Sequence, residues 1–495
     1  MILRTMETQL QEKRPDSRRA TTKVTPTFSC YVAGKPVTSG ERLVINNPYT
    51  NQPAGEVALV SAREAEMAVK SALAYREKPT RFKRSQVLEN ARQLLEQRLE
   101  EFALLITSES GLCLRDTRYE VGRAIEVLRW AAMEALRDDG QTFSCDVSPQ
   151  GKARKIFTLR EPVSLVLAIT PFNHPLNQVV HKVAPAVAAG APIILKPSAR
   201  TPLAAIRFVE LLYEAGLPES LVSVLLGPNE TVTTRLVEDP RIELITFTGG
   251  ERVGKKIAQT AGYKRLVLEL GGNDPLIILA DADLELAVTL AAEGSFRNSG
   301  QRCTAVKRIL VQDTLAEQFT RRLAEKAKEY KYGDPMDPET RVGTVIDEPA
   351  AIYLEQVVNE AVAAGAKVLV GGQRRGALLA PTVISEVPRD CKMVTCESFG
   401  PLAPIITVRD LEDAITLANS TAYGLSSGVV TRSLDLAIEA VKRLRCGTVN
   451  INEVPGFRIE SSPFGGIKDS GLGIKEGVVE AMKSMTTVKT FSVPW

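Results

Sequence analysis

The chain has 495 residues, which is too long for one compact core, so we expect two or three domains. Hydrophobic residues make up 44% and charged residues 24%, as in ordinary globular proteins, and the longest apolar runs are too short to span a membrane. The formal net charge of +3 argues against a general attraction to nucleic acid or to a membrane surface.

The N-terminal residues 1–30 are predicted to be a flexible tail. The stretch mixes Arg and Lys with Glu7, Glu12 and Asp16 and has no apolar core, so it resembles neither a secretory signal nor a transit peptide. The seven cysteines are irregularly spaced and form no CxxC pair or Cys/His cluster that would favour zinc. We therefore expect a cytoplasmic protein with free thiols and no metal site.

Residues 31–141 contain short strands and turns, followed by amphipathic helices that include one over residues 82–105. From residue 163 to residue 270, strands alternate with helices, which is typical of βαβ units and a parallel sheet. Right-handed crossovers between such units give a doubly wound nucleotide-binding layer. The sequence therefore predicts an α/β fold in which 31–141 and 162–271 form a Rossmann-type dinucleotide-binding domain.

A second α/β series follows residue 271, so residues 272–480 are predicted to form a catalytic domain. The segment 487–493 near the C-terminus alternates as a strand does. A strand at the end of a chain must pair with another edge, and we expect its partner to be a hairpin of a neighbouring subunit. Residues 142–161 and 481–495 are thus predicted to be oligomerisation strands of a homodimer or a dimer of dimers.

Three segments place a reactive side chain beside glycine or proline. Cys303 follows Gly300 and Arg302, and a turn and a cation give a thiol access and an electrostatic reason to ionise. Glu269 ends an apolar strand, where desolvation raises a carboxyl pKa and suits a general base. Asn173 lies between two prolines, and a fixed amide can donate to an oxyanion. Taken singly, each also fits a structural role: a buried loop cysteine, a solvated carboxylate and a rigid turn.

Together these segments resemble the aldehyde dehydrogenase superfamily, and the resemblance extends from about residue 31 to the C-terminus. Further matching motifs are Ile194-Leu195-Lys196-Pro197-Ser198, Thr246-Phe247-Thr248-Gly249, Glu397-Ser398-Phe399-Gly400-Pro401 and Ser462-Pro463-Phe464-Gly465-Gly466. The resemblance implies a Rossmann-type cofactor domain, an α/β catalytic domain and a small β oligomerisation element. It also implies that Cys303 is the nucleophile, that Asn173 holds the oxyanion, and that Glu269 activates water to hydrolyse a thioester.

The resemblance implies NAD or NADP as the cofactor. The residues that it maps to the cofactor site are Ile169, Lys196, Ser198, Gly249, Gly254, Glu397 and Phe399. Ala199 stands where many NAD-preferring relatives carry a ribose-binding glutamate, and Arg200 follows it, so a 2′-phosphate becomes acceptable. Gly250 replaces a serine that would bind phosphate. The choice between NAD and NADP is left open.

Four cationic or potentially cationic residues map to the substrate tunnel of the superfamily: Arg123, His174, Arg302 and Arg458. Each could be solvated or structural, but together they favour a small anionic aldehyde. The segments around them resemble superfamily members that oxidise phosphonoacetaldehyde to phosphonoacetate and, nearly as closely, members that act on phosphonoformaldehyde. A semialdehyde or a phosphorylated aldehyde is an alternative substrate. A nucleotide-binding paralogue without turnover is the alternative from another class.

Overall fold

The computed structural model describes residues 25–38 and 40–495. The strands, in chain order, are β1 (Thr27–Val32), β2 (Lys35–Val37), β3 (Arg42–Asn46), β4 (Pro53–Ala58), β5 (Thr142–Ser144), β6 (Arg154–Pro162), β7 (Val166–Ile169), β8 (Ile193–Lys196), β9 (Val222–Val224), β10 (Leu244–Thr248), β11 (Arg265–Glu269), β12 (Pro275–Ile278), β13 (Arg308–Gln312), β14 (Lys367–Val370), β15 (Arg374–Arg375), β16 (Leu378–Leu379), β17 (Thr382–Ser385), β18 (Leu402–Val408), β19 (Ser426–Val430), β20 (Thr448–Ile451) and β21 (Thr486–Pro494). The helices are α1 (Ala62–Ala74), α2 (Arg81–Gln97), α3 (Leu99–Ser110), α4 (Leu114–Leu136), α5 (Asn177–Ala189), α6 (Leu203–Glu214), α7 (Thr234–Glu238), α8 (Glu251–Thr260), α9 (Leu284–Phe296), α10 (Asp313–Lys328), α11 (Glu348–Ala363), α12 (Lys392–Thr395), α13 (Leu411–Asn419), α14 (Leu434–Arg443) and α15 (Val478–Ser484).

The first sheet has nine strands in the order β11-β10-β7-β8-β9-β1-β4-β3, with β2 paired to β1. The strands from β11 to β9 are parallel, which confirms the predicted βαβ series. Strands β7 and β8 are fully buried because helices cover both faces, and this explains their apolar sequences. The prediction of one continuous helix over residues 82–105 is wrong. Helices α2 and α3 are separate, and Arg98 between them has non-helical φ −107° and ψ 21°.

The second sheet has seven strands in the order β14-β17-β18-β13-β12-β19-β20. Its strands are parallel except for β14, which is antiparallel to β17. Apolar side chains bury against both faces of this sheet in two clusters. The expected second α/β series is confirmed. Of the described helices, none is long and apolar enough to cross a membrane.

A three-stranded sheet joins the two segments predicted to oligomerise, but within one chain. Strand β21 pairs antiparallel with β6 over its whole length, and β5 covers the other edge of β6. Stacked rings of Phe157 and Phe491, with centroids 5.4 Å apart, reinforce the pairing. The expectation that the C-terminal strand pairs with a neighbouring subunit is therefore wrong. A role of this sheet in oligomerisation stays a prediction.

Two domain boundaries differ from the prediction. Strand β1 begins at Thr27, so residues 27–30 belong to the first sheet rather than to a tail, and the tail prediction for residues 1–24 lies outside the described residues. At the other end, α15 begins at Val478 and packs on α5, so the chain has already returned to the first core before residue 480. The domains also meet at Gly271, whose carbonyl accepts a 2.6 Å hydrogen bond from the Ser470 hydroxyl.

Candidate active site

The loop that carries Cys303 begins with a strained turn after α9. Asn298, Ser299 and Gly300 all have left-handed φ angles, of 58°, 52° and 68°. Only glycine fits the third position, because a Cβ there would overlap the carbonyl of Gly400. Two non-glycine residues in this region cost about 1–2 kcal/mol each. Surrounding contacts must therefore hold the turn.

Cys303 lies three residues after this turn, and its thiol is neutral. Burial raises the pKa of the thiol to about 11, although Lys307 and Arg458 act in the opposite direction. The sequence expectation that the adjacent Arg302 ionises the thiol is therefore wrong, because desolvation outweighs the nearby cations. A base has to remove the thiol proton before the sulfur can attack at neutral pH.

Asn173 follows β7 and faces the same loop. Its Nδ2 donates a 2.8 Å hydrogen bond to the Gln301 carbonyl, and its own carbonyl accepts one of 3.1 Å from the Asn298 side chain. The residue is buried, so the amide orientation is fixed. An amide nitrogen has two hydrogens, and the second remains to donate towards a substrate oxygen beside Cys303.

Glu269 ends β11 and is buried, and neither carboxylate oxygen has a hydrogen-bond partner among the described residues. Burial and the neighbouring Glu476 raise its pKa well above the usual value, against the influence of Lys182. Its Oε1 lies 2.6 Å from where a Cβ of Gly465 would stand, so glycine makes room for the carboxylate. These features are typical of a general base held in a dry site.

A cleft of about 800 Å³ runs between the two domains to Cys303. Six of the residues mapped to the cofactor site line this cleft: Ile169, Lys196, Ser198, Gly249, Glu397 and Phe399. Gly254 does not line it, contrary to the prediction. A Cβ at Gly254 would overlap Leu270, so this glycine lets α8 pack closely against the end of β11.

A network of paired charges around Glu460 lies outside this cleft. Arg123 on α4 donates to both carboxylate oxygens of Glu460, from Nε at 2.5 Å and from Nη2 at 3.1 Å. His181 on α5 contacts the same carboxylate through Nε2 at 2.5 Å. Burial acts to raise the pKa of Glu460, but His181 and Arg123 together hold it below the usual value. Much of the charge of Arg123 is thus neutralised within the protein.

His174 and Arg302 are also engaged by the protein. The Nδ1 atom of His174 lies 3.5 Å from Glu120, and burial lowers the pKa of His174, so the imidazole is neutral near pH 7. Arg302 donates from Nη2 to the carbonyls of Glu293 and Gly294 at 3.2 Å and 2.7 Å, which caps the last turn of α9. His174 Nδ1 and Arg302 Nε are buried without a hydrogen-bond partner in the described chain.

Arg458 differs from the other three predicted substrate residues. Its guanidinium stacks on the Phe464 ring, with 3.9 Å from Cζ to the ring centroid. Within residues 25–38 and 40–495 it has no hydrogen-bond acceptor and no carboxylate at salt-bridge distance. It is close enough to Cys303 and Glu269 that their charges affect the pKa of Arg458, which burial lowers. Arg458 is therefore a cation near Cys303 that has no acceptor among the described residues.

Comparison with known proteins gives the family. The model of the aldehyde dehydrogenase family matches residues 36–491. The chain belongs to this family. It is accordingly an oxidoreductase that acts on aldehydes, with NAD or NADP as its cofactor.

Similar aldehyde dehydrogenases act on several small substrates. The 3-sulfolactaldehyde dehydrogenase of Priestia aryabhattai is 38% identical over 460 residues, which cover 93% of this chain and 96% of the relative. The sulfoacetaldehyde dehydrogenase of Neptuniibacter caesariensis is 38% identical, with 90% and 98% covered. The solved NADP-dependent glyceraldehyde-3-phosphate dehydrogenase from Bacillus halodurans C-125, complexed with NADP, has a TM-score of 0.91 and 35% identity, with 95% and 99% covered.

The cleft of this aldehyde dehydrogenase fits a dinucleotide. Its volume of about 800 Å³ lies in the range of cofactor sites. The buried hydroxyls of Thr170 and Thr248 line it without a partner in the described chain, so they can hydrogen-bond to a ligand. At the start of α8, Gly250 leaves open space where a side chain would stand, so phosphate can approach the helix N-terminus.

Sequence reasoning missed Lys307, which links the Cys303 loop to the cofactor cleft. Its buried Nζ donates to the carbonyls of Cys303 at 2.7 Å and Arg302 at 2.8 Å, and it lies 3.0 Å from Glu397 Oε1. A lysine at the start of an apolar strand was the signal that could have identified it. Lys307 also fixes the Glu397 carboxylate in the cleft.

Proposed function

We propose that this aldehyde dehydrogenase oxidises a small aldehyde bearing a tetrahedral anionic group, with phosphonoacetaldehyde as the expected substrate and phosphonoacetate as the product. The observation that carries the proposal is Arg458, the guanidinium without an acceptor in the described chain, beside Cys303 and Glu269. An unpaired arginine in a largely desolvated site binds an anion strongly because its N–H groups then gain charge-assisted hydrogen bonds.

The neighbouring groups favour a tetrahedral anion over an uncharged substrate. Arg302 Nε and His174 Nδ1 are buried polar atoms that lack a partner, and an anion between them and Arg458 would satisfy them. Two relatives are named for aldehydes with a sulfonate, which has the same tetrahedral geometry. A phosphonate can carry a second negative charge that a sulfonate cannot, and this strengthens its attraction to the unpaired Arg458.

The reaction begins at Cys303. Glu269 has no donor among the described residues, so its carboxylate is free to take the thiol proton, and the sulfur then adds to the aldehyde carbon. Asn173 Nδ2 and the Cys303 backbone N–H hold the oxygen as it becomes negative. The cofactor supplies the acceptor for the hydride that leaves this carbon. Loss of the hydride leaves this carbon as the carbonyl carbon of a thioester with Cys303.

Hydrolysis of the thioester requires an activated water. Glu269 is the general base for this step, because it lies in the dry site, it lacks a partner among the described residues, and its pKa is raised. Once Glu269 has released the thiol proton to solvent, its carboxylate takes the water proton and the hydroxide adds to the acyl carbon. The Cys303 thiolate then leaves and recovers a proton from Glu269. The product is the free acid rather than an acyl carrier.

Steady-state comparison of four aldehydes tests the substrate class. We expect kcat/KM to fall in the order phosphonoacetaldehyde, sulfoacetaldehyde, succinic semialdehyde, propanal, with either NAD or NADP in excess. Highest activity on sulfoacetaldehyde or succinic semialdehyde would support an anion-binding site but assign it a different anion. A preference for propanal would contradict the proposal.

A further inference from the structure

One face of α4 contacts three separate active-site segments. Asp116, Glu120 and Arg123 are spaced by four and three residues, so they lie on the same side of the helix. Asp116 accepts from Asn298 N at 2.7 Å, and Arg123 pairs with Glu460. Glu120 accepts at 2.9 Å from two backbone N–H groups at the start of α5. The nucleophile loop, the segment after Asn173 and the loop of Arg458 are thus all attached to one rigid helix.

Of these three contacts, that of Asp116 is the one made to the loop that carries Cys303. Asp116 is buried, and its Oδ2 accepts the N–H of Asn298, the first residue of the left-handed turn that leads to Cys303. Its other oxygen lies 3.7 Å from Arg297, the residue before that turn. We propose that Asp116 is a positioning residue, which holds the strained turn so that Cys303 is aligned for attack on the aldehyde.

The hydrogen bond, rather than the charge, performs this role. A turn with two consecutive left-handed non-glycine residues relaxes unless its backbone groups are fixed. The Asn298 N–H is buried and has Asp116 as its hydrogen-bond acceptor. An asparagine at position 116 keeps an acceptor oxygen of the same length, whereas an alanine leaves the N–H without one. The inference rests on the proposed role of Cys303 as the nucleophile.

The kinetic test compares Asp116→Ala with Asp116→Asn. In Asp116→Ala we expect kcat to fall about 30-fold or more, because misplacement of a reacting group by an ångström is costly. The loss should be equal for phosphonoacetaldehyde and propanal, with KM and the dissociation constant of NADP within about threefold of wild type. Asp116→Asn should recover kcat to within about threefold of wild type. An Asp116→Ala enzyme with unchanged kcat, or an Asp116→Asn enzyme as impaired as the alanine variant, would overturn the inference.

A chemical readout separates positioning from general destabilisation. Alkylation of Cys303 by iodoacetamide, followed by mass spectrometry, should become faster in Asp116→Ala while turnover falls, because a loosened loop lets water reach the thiol. Cys30 is fully buried in the first core and serves as an internal control, which stays unmodified while the fold is intact. Alkylation of Cys303 at the wild-type rate would contradict the proposal.

Glu109→Ala is the matched control for Asp116→Ala. Glu109 is also a buried carboxylate that accepts two backbone N–H groups, of Leu203 at 2.7 Å and Ala204 at 3.0 Å, but it does not contact the nucleophile loop. Its variant should lose stability without a change in Cys303 alkylation. If Asp116→Ala does not fold, Asp116→Ser replaces it with the same expectations. Failure of the catalytic proposal is a separate result, since Cys303→Ala would then turn over aldehyde normally.

Discussion

The two sides of Cys303 are built in contrasting ways. The cofactor side is a wide cleft lined mostly by uncharged residues. Its Glu397 is held by the buried Lys307, and Gly249 and Gly250 lie just before α8. The substrate side has little unpaired positive charge. Most of its described cations have protein partners, whereas Arg458 has none among the described residues. The first side serves a reaction that is the same for every aldehyde. On the proposed function, the second side selects which aldehyde reacts, and variants on the two sides should therefore fail in different ways.

Loss of the nucleophile should have the largest effect and should not discriminate between substrates. We expect Cys303→Ala to lower kcat/KM by about 10⁴-fold or more for charged and uncharged aldehydes alike. Cofactor binding, measured by fluorescence quenching, should stay intact because the cleft is unchanged. Cys145→Ala, just after β5 of the small three-stranded sheet, is the control and should retain full activity. Substantial oxidation by Cys303→Ala would end the thioester mechanism.

Loss of the base should separate the two halves of the reaction. Glu269→Gln should slow turnover about 10²- to 10⁴-fold, because water attack on the thioester loses its proton acceptor. If another base, such as water, still removes the thiol proton, rapid mixing should show one equivalent of reduced cofactor per site before the slow phase. A trapped acyl group on Cys303 should be visible by mass spectrometry. Slow turnover without acyl-enzyme would instead assign Glu269 to the first step alone.

Variants on the substrate side should affect charged aldehydes more than uncharged ones. Arg458→Ala should lower kcat/KM for phosphonoacetaldehyde about 10- to 100-fold, since a charge-assisted contact contributes about 1.5–3 kcal/mol, and should leave propanal nearly unchanged. Arg123→Ala should also raise KM for the phosphonate more than for acetaldehyde, but less than Arg458→Ala does, because Glu460 already neutralises part of its charge. The exposed Arg409→Ala is the control. Equal losses on both substrates would make these arginines structural.

The pH dependence should report the carboxylate pair behind Cys303. Glu476 is ion-paired with Lys182 at 2.6 Å, and its negative charge helps to raise the pKa of Glu269. The base is active when deprotonated, so kcat should rise as pH increases through the raised pKa. Glu476→Gln removes the repulsion, lowers the pKa of Glu269 and should shift this rise to lower pH. A shift to higher pH, or none, would show that another group controls the profile.

Local sequence patterns identified the candidate reactive groups but not their partners. Cys303, Asn173 and Glu269 stand in short segments whose glycines and prolines were readable directly. By contrast, Arg123 meets Glu460, which lies 337 positions later, and no local spacing announces such a pair. The thiol pKa was misjudged for the same reason, because burial comes from the whole fold. The pairing of β21 with β6 of its own chain could not be predicted either, because an alternating strand can pair with the edge of any sheet.

The smallest effect should come from the cofactor side, at an exposed ion pair that joins it to the other domain. Arg200 pairs with Asp347, and both residues line the cleft. Asp347→Asn keeps the cap of α11, whose Ala350 N–H bonds to Oδ1 at 2.8 Å, but releases Arg200 for a 2′-phosphate. Because exposed pairs contribute only about 0–1 kcal/mol, the ratio of kcat/KM for NADP over NAD should rise about three- to fivefold. Asp283→Asn, at the matching cap of α9 beside Arg432, should leave the ratio unchanged. A fall in the ratio would mean that Arg200 reaches the phosphate only while Asp347 holds it in place.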